Sequence, residues 1–189
     1  PAYPPVQNIN DSTGLTSTKG DDAMRSDLAR LGYNLSGKGI KVGVISDSYN
    51  KQPGNPALAN VTNNDLPAGV HVLKDSPFGG IDEGRAMMQI IHDIAPDAKL
   101  AFRTGVISAS DFAKGIKELE KDTCDIIVDD ITYITEPFFQ DGKVAQAVDT
   151  VTKKGVAYFT SAGNFGSKAY EGYFSPAPTP QGITGMAHN

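Results

Sequence analysis

The sequence predicts an α/β fold: a doubly wound, mostly parallel sheet with helices on both faces. Short apolar runs alternate with helical apolar stripes along the chain, and the spacing leaves room for right-handed crossovers between parallel strands. The first of these runs is rich in β-branched residues, as strands buried on both faces are. The length of 189 residues suits one ordinary domain.

Composition excludes several classes of function. The chain has 17 basic and 22 acidic residues, a net charge of −5, so a broad basic surface for nucleic acid is not expected. No apolar run approaches the roughly 20 residues that a membrane span needs. The lone Cys124 excludes an internal disulfide and a multi-cysteine zinc site. We expect no nucleic-acid partner, no membrane span, no metal site and no cofactor.

The N-terminal part is predicted to be an arm followed by a helix. Residues 1–20 are rich in Pro, Asn, Ser, Thr and Gly without periodicity, which is typical of an extended segment. A helix is predicted to begin near Asp21 or Asp22 and to stop at Gly32. Its apolar stripe consists of Met24, Leu28 and Leu31.

The first predicted strand covers residues 40–46, with the sequence IKVGVIS. From Ser48 to Ile81 the chain carries several Pro, Gly and Asn residues, and only VHVL at 70–73 resembles a short strand. We predict a long loop region here, and loops of this length are usually functional or disordered.

Regular alternation begins after this loop. A helix is predicted to begin at Asp82 or Glu83 and to end at Pro96, and a strand is predicted at residues 99–104. The helix stripe is Met87, Ile90, Ile91 and Ile94. The next helix is predicted to be capped by Ser110 or Asp111, with the stripe Phe112, Ile116 and Leu119.

Two more strands and one more helix complete the pattern. DIIVD at residues 125–129 and VAYFTS at 156–161 are predicted strands. Between them, Asp141 is predicted to cap a helix with the stripe Val144, Val148 and Val151, closed by Lys153, Lys154 and Gly155.

Polar residues follow these strands, at the edge where ligands bind in parallel sheets. They are Ser46 and Asp47, Arg103 and Thr104, Asp129 and Asp130, and Ala162-Gly163-Asn164. Glu83 lies at the amino end of a helix that faces the same rim. The topology therefore brings polar groups from separate parts of the chain to one edge.

Four segments in order resemble a known family: GKGIKVGVISDS, DEGRAMMQIIHDIAPDAKL, CDIIVDD and GVAYFTSAGNFG. From about Gly37 to Gly166 the chain resembles the first two-thirds of a subtilisin-like serine peptidase catalytic domain, and HDIAPDAKL and TSAGN are the most specific pieces. The resemblance implies that residues 21–189 are a partial peptidase domain that acts on peptide or protein substrates. It also implies a secreted or cell-envelope location.

The resemblance assigns roles to two acidic residues. Asp47 matches the aspartate that orients the catalytic base, although an ungapped alignment places Ser46 at that position. Glu83 stands where subtilisins have the catalytic histidine, and glutamate as base resembles the sedolisins, which use serine, glutamate and aspartate. Sedolisins place an aspartate four residues later, where this chain has Met87. Alternatively, Asp47 is a turn residue, and Glu83 interacts only with the helix dipole.

The resemblance also implies an oxyanion donor and a substrate-binding segment. Asn164 matches the family's oxyanion-hole asparagine, whose amide stabilises a tetrahedral intermediate. The segment Asp130-Ile131-Thr132-Tyr133 stands where subtilisins have Ser-Leu-Gly-Gly, which pairs with the substrate backbone. Replacing both glycines fills space that a peptide would otherwise use, so either the specificity pocket is narrow or substrate binds differently.

No histidine is in a suitable context to replace Glu83. His92 lies nine residues further on, about 180° around the helix, His71 lies in a short strand, and His188 lies near the end of the chain. No Gly-Thr-Ser carries a nucleophile, and Thr184-Gly185-Met186-Ala187 only echoes that motif. We therefore expect the nucleophilic serine in a downstream segment of the same domain, and we expect this chain alone to be inactive and to self-associate.

Two other interpretations stay open. A catalytically inactive pseudoprotease or protein-binding module would explain the missing histidine, the shifted aspartate and the missing glycine pair. A metal-dependent phosphoryl-transfer domain would use Asp47, Asp129 and Asp130, although the chain has no glycine-rich phosphate loop of the Gly-Lys-Ser/Thr type.

Overall fold

A computed structural model describes residues 14–168, 171–179, 181–182, 184 and 187–188. Its main sheet has five strands in the order β2-β3-β1-β4-β5, and all four neighbouring pairs are parallel. The strands are β1 (Lys41–Ser46), β2 (His71–Lys74), β3 (Lys99–Thr104), β4 (Ile126–Asp129) and β5 (Ala157–Thr160). A separate antiparallel pair joins β6 (Pro176–Ala177) to β7 (Ala187–His188).

The helices of the described residues cover both faces of the sheet. They are α1 (Lys19–Met24), α2 (Ser26–Tyr33), α3 (Pro56–Thr62), α4 (Glu83–Ile94), α5 (Ala109–Lys121) and α6 (Lys143–Thr152). None of these described helices combines the length and the apolar character needed to cross a bilayer.

Alternation along the strands divides the core between the two faces. On one face, Ile45 and Ile127 pack with Phe112 of α5 and Val151 of α6. On the other face, Val44 and Phe102 pack with Met88 of α4, and Ala57 of α3 joins them. This arrangement confirms the predicted doubly wound α/β fold.

The N-terminal helix differs from its prediction. Helix α1 begins at Lys19, because the Thr18 hydroxyl caps it by accepting a hydrogen bond from the Gly20 N–H. Arg25, in the left-handed conformation with φ 59°, separates α1 from α2. Gly32 does not stop the helix, which runs to Tyr33 before Asn34 turns left-handed. The predicted stripe is partly solvent-exposed: Met24 is 63% and Leu31 is 53% exposed.

Helix α3 interrupts the segment that was predicted to be one long loop. Pro56 occupies its first turn, where the missing N–H of proline costs no hydrogen bond.

The residues predicted to cap α5 and α6 are wrong. Ser108 caps α5 by accepting a hydrogen bond from the Asp111 N–H, and Gly142 rather than Asp141 precedes α6.

The buried face of α4 is rotated from the predicted stripe. Gly84, Met88 and His92 are its buried residues, whereas Ile90 is 47% exposed. The rotation follows from Gly84, which lies directly against the sheet and thereby sets which side of the helix faces the core. In α5, by contrast, Phe112, Ile116 and Leu119 are all buried as predicted.

Candidate active site

The candidate site lies at the carboxyl ends of β1 and β4, on the sheet face that α4 covers. The order β1-β4 in the sheet brings Ser46 and Asp130 together, although 84 residues separate them in sequence. Helix α4 begins at the same edge with Glu83, whose side chain is exposed. The topology thus places the ends of three elements at one point.

Asp47 holds the first turn of α4. Its Oδ1 accepts a hydrogen bond from the Glu83 N–H at 2.9 Å, and its Oδ2 accepts one from the Ile81 N–H at 2.6 Å. The N–H and hydroxyl of Ser48 also donate to this carboxylate. Asp82 precedes the helix in a left-handed conformation with φ 61° and does not cap it, so Asp47 supplies acceptors from another part of the chain.

Gly84 allows α4 to approach the end of β1. A Cβ atom at this position would collide with the Phe102 ring and would lie 2.9 Å from the Ser48 carbonyl oxygen and 3.0 Å from the Ser46 Cβ. The close approach leaves the preceding residue, Glu83, beside the end of β1, near enough to Asp130 for its charge to act on that carboxyl group. No hydrogen bond or ion pair to another described residue restrains the Glu83 side chain.

Asp130 is bound to β1 through Ser46. The fully buried Ser46 hydroxyl donates to Asp130 Oδ2 at 3.0 Å, and Asp130 Oδ1 is buried without a partner among the described residues. The pKa of Asp130 is raised to about 6, mainly by burial. The Ser46 hydrogen bond opposes this rise, and the negative charges of Glu83 and Asp129 contribute to it.

Asp129 belongs to the opposite face of the sheet. Its carboxylate accepts hydrogen bonds from the Tyr158 hydroxyl at 2.6 Å, the Thr160 hydroxyl at 3.0 Å and the Ile131 N–H at 3.1 Å. Burial raises the pKa of Asp129. Because neighbouring side chains of an extended chain point to opposite faces, Asp129 and Asp130 diverge. Within the described ranges, no group of three His, Cys, Asp or Glu side chains is placed to hold a metal ion.

Because of the same alternation, the side chains of the predicted substrate-binding segment, residues 130–133, do not all lie on one side of the chain. Ile131 and Tyr133 line a cavity of about 540 Å³ between β4, β5 and α6, with Asp129 and Tyr158 also in its wall. The Tyr133 hydroxyl donates to the Gly105 carbonyl at 2.6 Å, which holds the ring in place. Asp130 and Thr132 do not line this cavity.

Asn164 lies on the loop after β5, and its side chain is exposed. The preceding Gly163 has φ 76°, a conformation that favours glycine, and a Cβ atom there would lie 3.4 Å from Thr132 Oγ1. The loop after β5 therefore runs beside the loop after β4. This places Asn164 at the predicted edge of the sheet, and its role as oxyanion donor stays a prediction.

The described histidines do not reach this site. His92 is buried on the opposite side of α4 from Glu83, and His71 contacts Asp122 at 2.8 Å. The side chain of His188 lies outside the described residues. So do Gly185 and Met186 of the segment that echoes the nucleophile motif.

Sequence reasoning missed two features of the site. It did not find the Ser46–Asp130 hydrogen bond, although both residues were placed at strand ends and the strand order would have made them neighbours. It placed Asp82 correctly at the start of α4, but it did not find that the buried Asp82 carboxylate accepts hydrogen bonds from the N–H groups of Lys51 and Gln52. No local pattern marks that contact.

Comparisons with known proteins support the fold. No family model matches the sequence, and no curated protein matches it. The chain aligns with the crystal structure of MycP1, a subtilisin-like protease, with the N-terminal propeptide removed: 18% identity, TM-score 0.58, 88% of this chain and 55% of that one. It also aligns with a lanthipeptide protease at 19% identity and TM-score 0.55, covering 76% of this chain and 45% of that one. The chain thus has a subtilisin-like fold and spans about half the length of these proteins.

Proposed function

We propose that this chain is the amino-terminal part of a subtilisin-like serine peptidase domain that uses Glu83 as its general base. The observation that carries the proposal is the placement of Glu83: Asp47 binds the backbone of its turn, Gly84 seats it against β1, and its side chain stays exposed at the carboxyl edge of the sheet. The subtilisin-like fold supports an active site at this edge.

In the proposed mechanism, the nucleophile is a serine outside the 189 residues. As the serine oxygen bonds to the carbonyl carbon of a peptide, its proton passes to the Glu83 carboxylate. The negative carbonyl oxygen accepts a hydrogen bond from the Asn164 amide, an interaction whose removal typically costs about 2.7 to 4 kcal/mol of barrier stabilisation. When the tetrahedral intermediate collapses, the carbon–nitrogen bond breaks and Glu83 returns the proton to the leaving amine.

Replacing histidine by glutamate predicts an acid optimum. An ordinary glutamate titrates near 4.3 and a histidine near 6.5, so we expect peptidase activity to be greatest roughly between pH 3 and 6. We would measure peptide hydrolysis against pH for the protein that includes the downstream segment, and for its Glu83→Gln variant. An optimum above neutrality that Glu83→Gln leaves unchanged would remove Glu83 from the mechanism.

A second experiment tests the location of the nucleophile. We expect the 189-residue chain to form no covalent adduct with a serine-directed fluorophosphonate, and we expect the protein with its downstream segment to form one. Intact-mass spectrometry measures the adduct. Labelling of the short chain that disappears when one of its own serines is replaced would overturn this part of the proposal.

A non-catalytic peptide-binding module is the second candidate. The observation that favours it is the segment after β4, where Tyr133 is fixed by its hydrogen bond to Gly105 and fills space that glycine leaves open in subtilisins. A peptidase would hydrolyse the peptides that it binds, whereas a binding module would leave them intact. Peptides that bind in calorimetry but stay intact over long incubation at every pH, in the protein with its downstream segment, would favour the binding module.

A further inference from the structure

We propose that Asp130, rather than Asp47, is the carboxyl partner of Glu83, and that the two carboxyl groups hold one proton between them. Asp130 is thus a positioning residue for the base. The inference rests on the proposed role of Glu83 and deepens it, because it changes which acid completes the site.

The Asp47 carboxylate already accepts hydrogen bonds from the main chain. Its two carboxylate oxygens accept hydrogen bonds from the N–H groups of Ser48, Ile81 and Glu83 and from the Ser48 hydroxyl. These hydrogen bonds occupy both carboxylate oxygens in holding the turn before α4. Asp47 therefore orients Glu83 through the main chain.

Asp130 has the free oxygen that a shared proton requires. The Ser46 hydroxyl occupies Oδ2, whereas Oδ1 is shielded from solvent and has no partner among the described residues. A buried oxygen without a partner is costly, and a proton on it that points to a neighbouring acceptor removes that cost. Glu83 on α4 and Asp129 on β4 are the charged groups that act on Asp130, and both are acidic.

The proton balance of the reaction is consistent with this pair. Before the attack, Asp130 is neutral and donates its Oδ1 proton to the Glu83 carboxylate, which leaves the other Glu83 oxygen to accept the serine proton. After the transfer both carboxyls are neutral, and Glu83 then gives its new proton to the leaving amine. Asp130 keeps its own proton throughout.

The test is a carboxyl-carbon NMR titration of the 189-residue chain, in which Glu83 and Asp130 are followed from acid to neutral pH. We expect each resonance to show two steps, because coupled groups titrate as a pair. In Asp130→Asn, the Glu83 curve should become a single step, and in Glu83→Gln the Asp130 midpoint should fall by about one pH unit. Asp22→Asn, an exposed carboxyl of α1, is the matched control and should change neither curve.

Ser46→Ala provides a second variant should Asp130→Asn fail to fold. It removes the hydrogen bond to Oδ2, so the upper midpoint of both Asp130 and Glu83 should rise. A Glu83 curve that none of these variants moves would overturn the pairing. A peptidase assay separates the two proposals: coupled titration without hydrolysis in the protein with its downstream segment contradicts the proposed function alone, and hydrolysis with uncoupled titration contradicts the pairing alone.

Discussion

At position 92, α4 places an imidazole ring in the apolar core, with 5% of the residue exposed and neither ring nitrogen hydrogen-bonded within the described part of the chain. Burial lowers the pKa of His92 against the opposing charges of Asp93, Asp65 and Asp97. In the unfolded chain, His92 therefore takes up a proton near pH 6.5, whereas in the folded chain its imidazole stays neutral at that pH. We expect the His92 contribution to lower the free energy of unfolding below this pH, by up to about 1.4 kcal/mol per pH unit.

Urea unfolding between pH 5 and 8 measures this loss. Over that range the carboxyls with lowered pKa, such as Asp82 and Asp111, stay ionised and contribute little to the slope. Asp130, with a pKa of about 6, binds a proton more readily in the folded chain, so its contribution opposes that of His92. Between pH 7 and 5, His92→Met should lose less stability than the parent protein, because it removes the titrating imidazole while filling the same space. A slope that is as steep in His92→Met as in the parent protein would assign the pH dependence to another residue.

Asp47 and Glu83 should differ in their effect on stability. Asp47→Ala removes the acceptors that hold the first turn of α4, so we expect a loss of about 0.5 to 2 kcal/mol in the free energy of unfolding. Glu83→Gln changes an exposed side chain and keeps an oxygen that can accept the proposed hydrogen bond from Asp130, so its effect should stay within about 0.5 kcal/mol. Chemical unfolding of both variants checks this difference, and equal losses would contradict it.

At the scale of elements, Gly84 and Gly32 are two helical glycines with opposite surroundings. Gly84→Ala would press a methyl group onto Phe102 and the Ser48 carbonyl, and overpacking of this kind typically costs about 1 to 3 kcal/mol. Gly32 in α2 has open space at its Cβ position, so Gly32→Ala should stabilise the protein by about 0.5 to 1 kcal/mol. Thermal unfolding measures both variants, and a stabilising Gly84→Ala would show that α4 does not approach β1 this closely.

The strongly periodic elements could be predicted from the sequence, and the marginal ones could not. The DIIVD strand and the Phe112, Ile116 and Leu119 stripe are correct because burial itself imposes their periods. The buried face of α4 was predicted wrongly. Hydrophobicity alone predicts that Ile90 is buried and His92 is exposed, whereas in the structure Ile90 is exposed and His92 is buried. The breaks at Arg25 and Asn34 depend on single left-handed residues, which the apolar pattern does not reveal.

The candidate site could be located from the sequence, but its contacts could not. The rule that ligands bind at the carboxyl ends of parallel strands brought Asp47, Asp130 and Asn164 to one edge. Which carboxyl meets which donor depends on side-chain direction. Asp47 turns to the α4 backbone, and Asp130 turns to Ser46 across 84 residues of sequence.

At the scale of the whole molecule, β5 ends the main sheet with an unpaired edge. Among the described residues it pairs with β4 alone, and three of its four residues are exposed. Phe159 is 59% exposed on this strand, and Phe165 on the following loop is 44% exposed. An apolar edge strand with free N–H and C=O groups is a template for pairing with another chain. We therefore predict that the 189-residue chain self-associates through β5.

Sedimentation velocity over a wide concentration range tests this prediction. We expect the weight-average sedimentation coefficient to rise with concentration, because mass action favours pairing of two β5 edges. Phe159→Lys should keep the chain monomeric to higher concentration, since a lysine on an edge strand adds charge repulsion between copies and removes the apolar contact. Tyr33→Lys is the control, because Tyr33 is a similarly exposed aromatic residue, 78% exposed, on α2 rather than on the sheet edge. If the parent chain stays monomeric throughout, or if Tyr33→Lys suppresses association as strongly as Phe159→Lys, the β5 edge is not the associating surface.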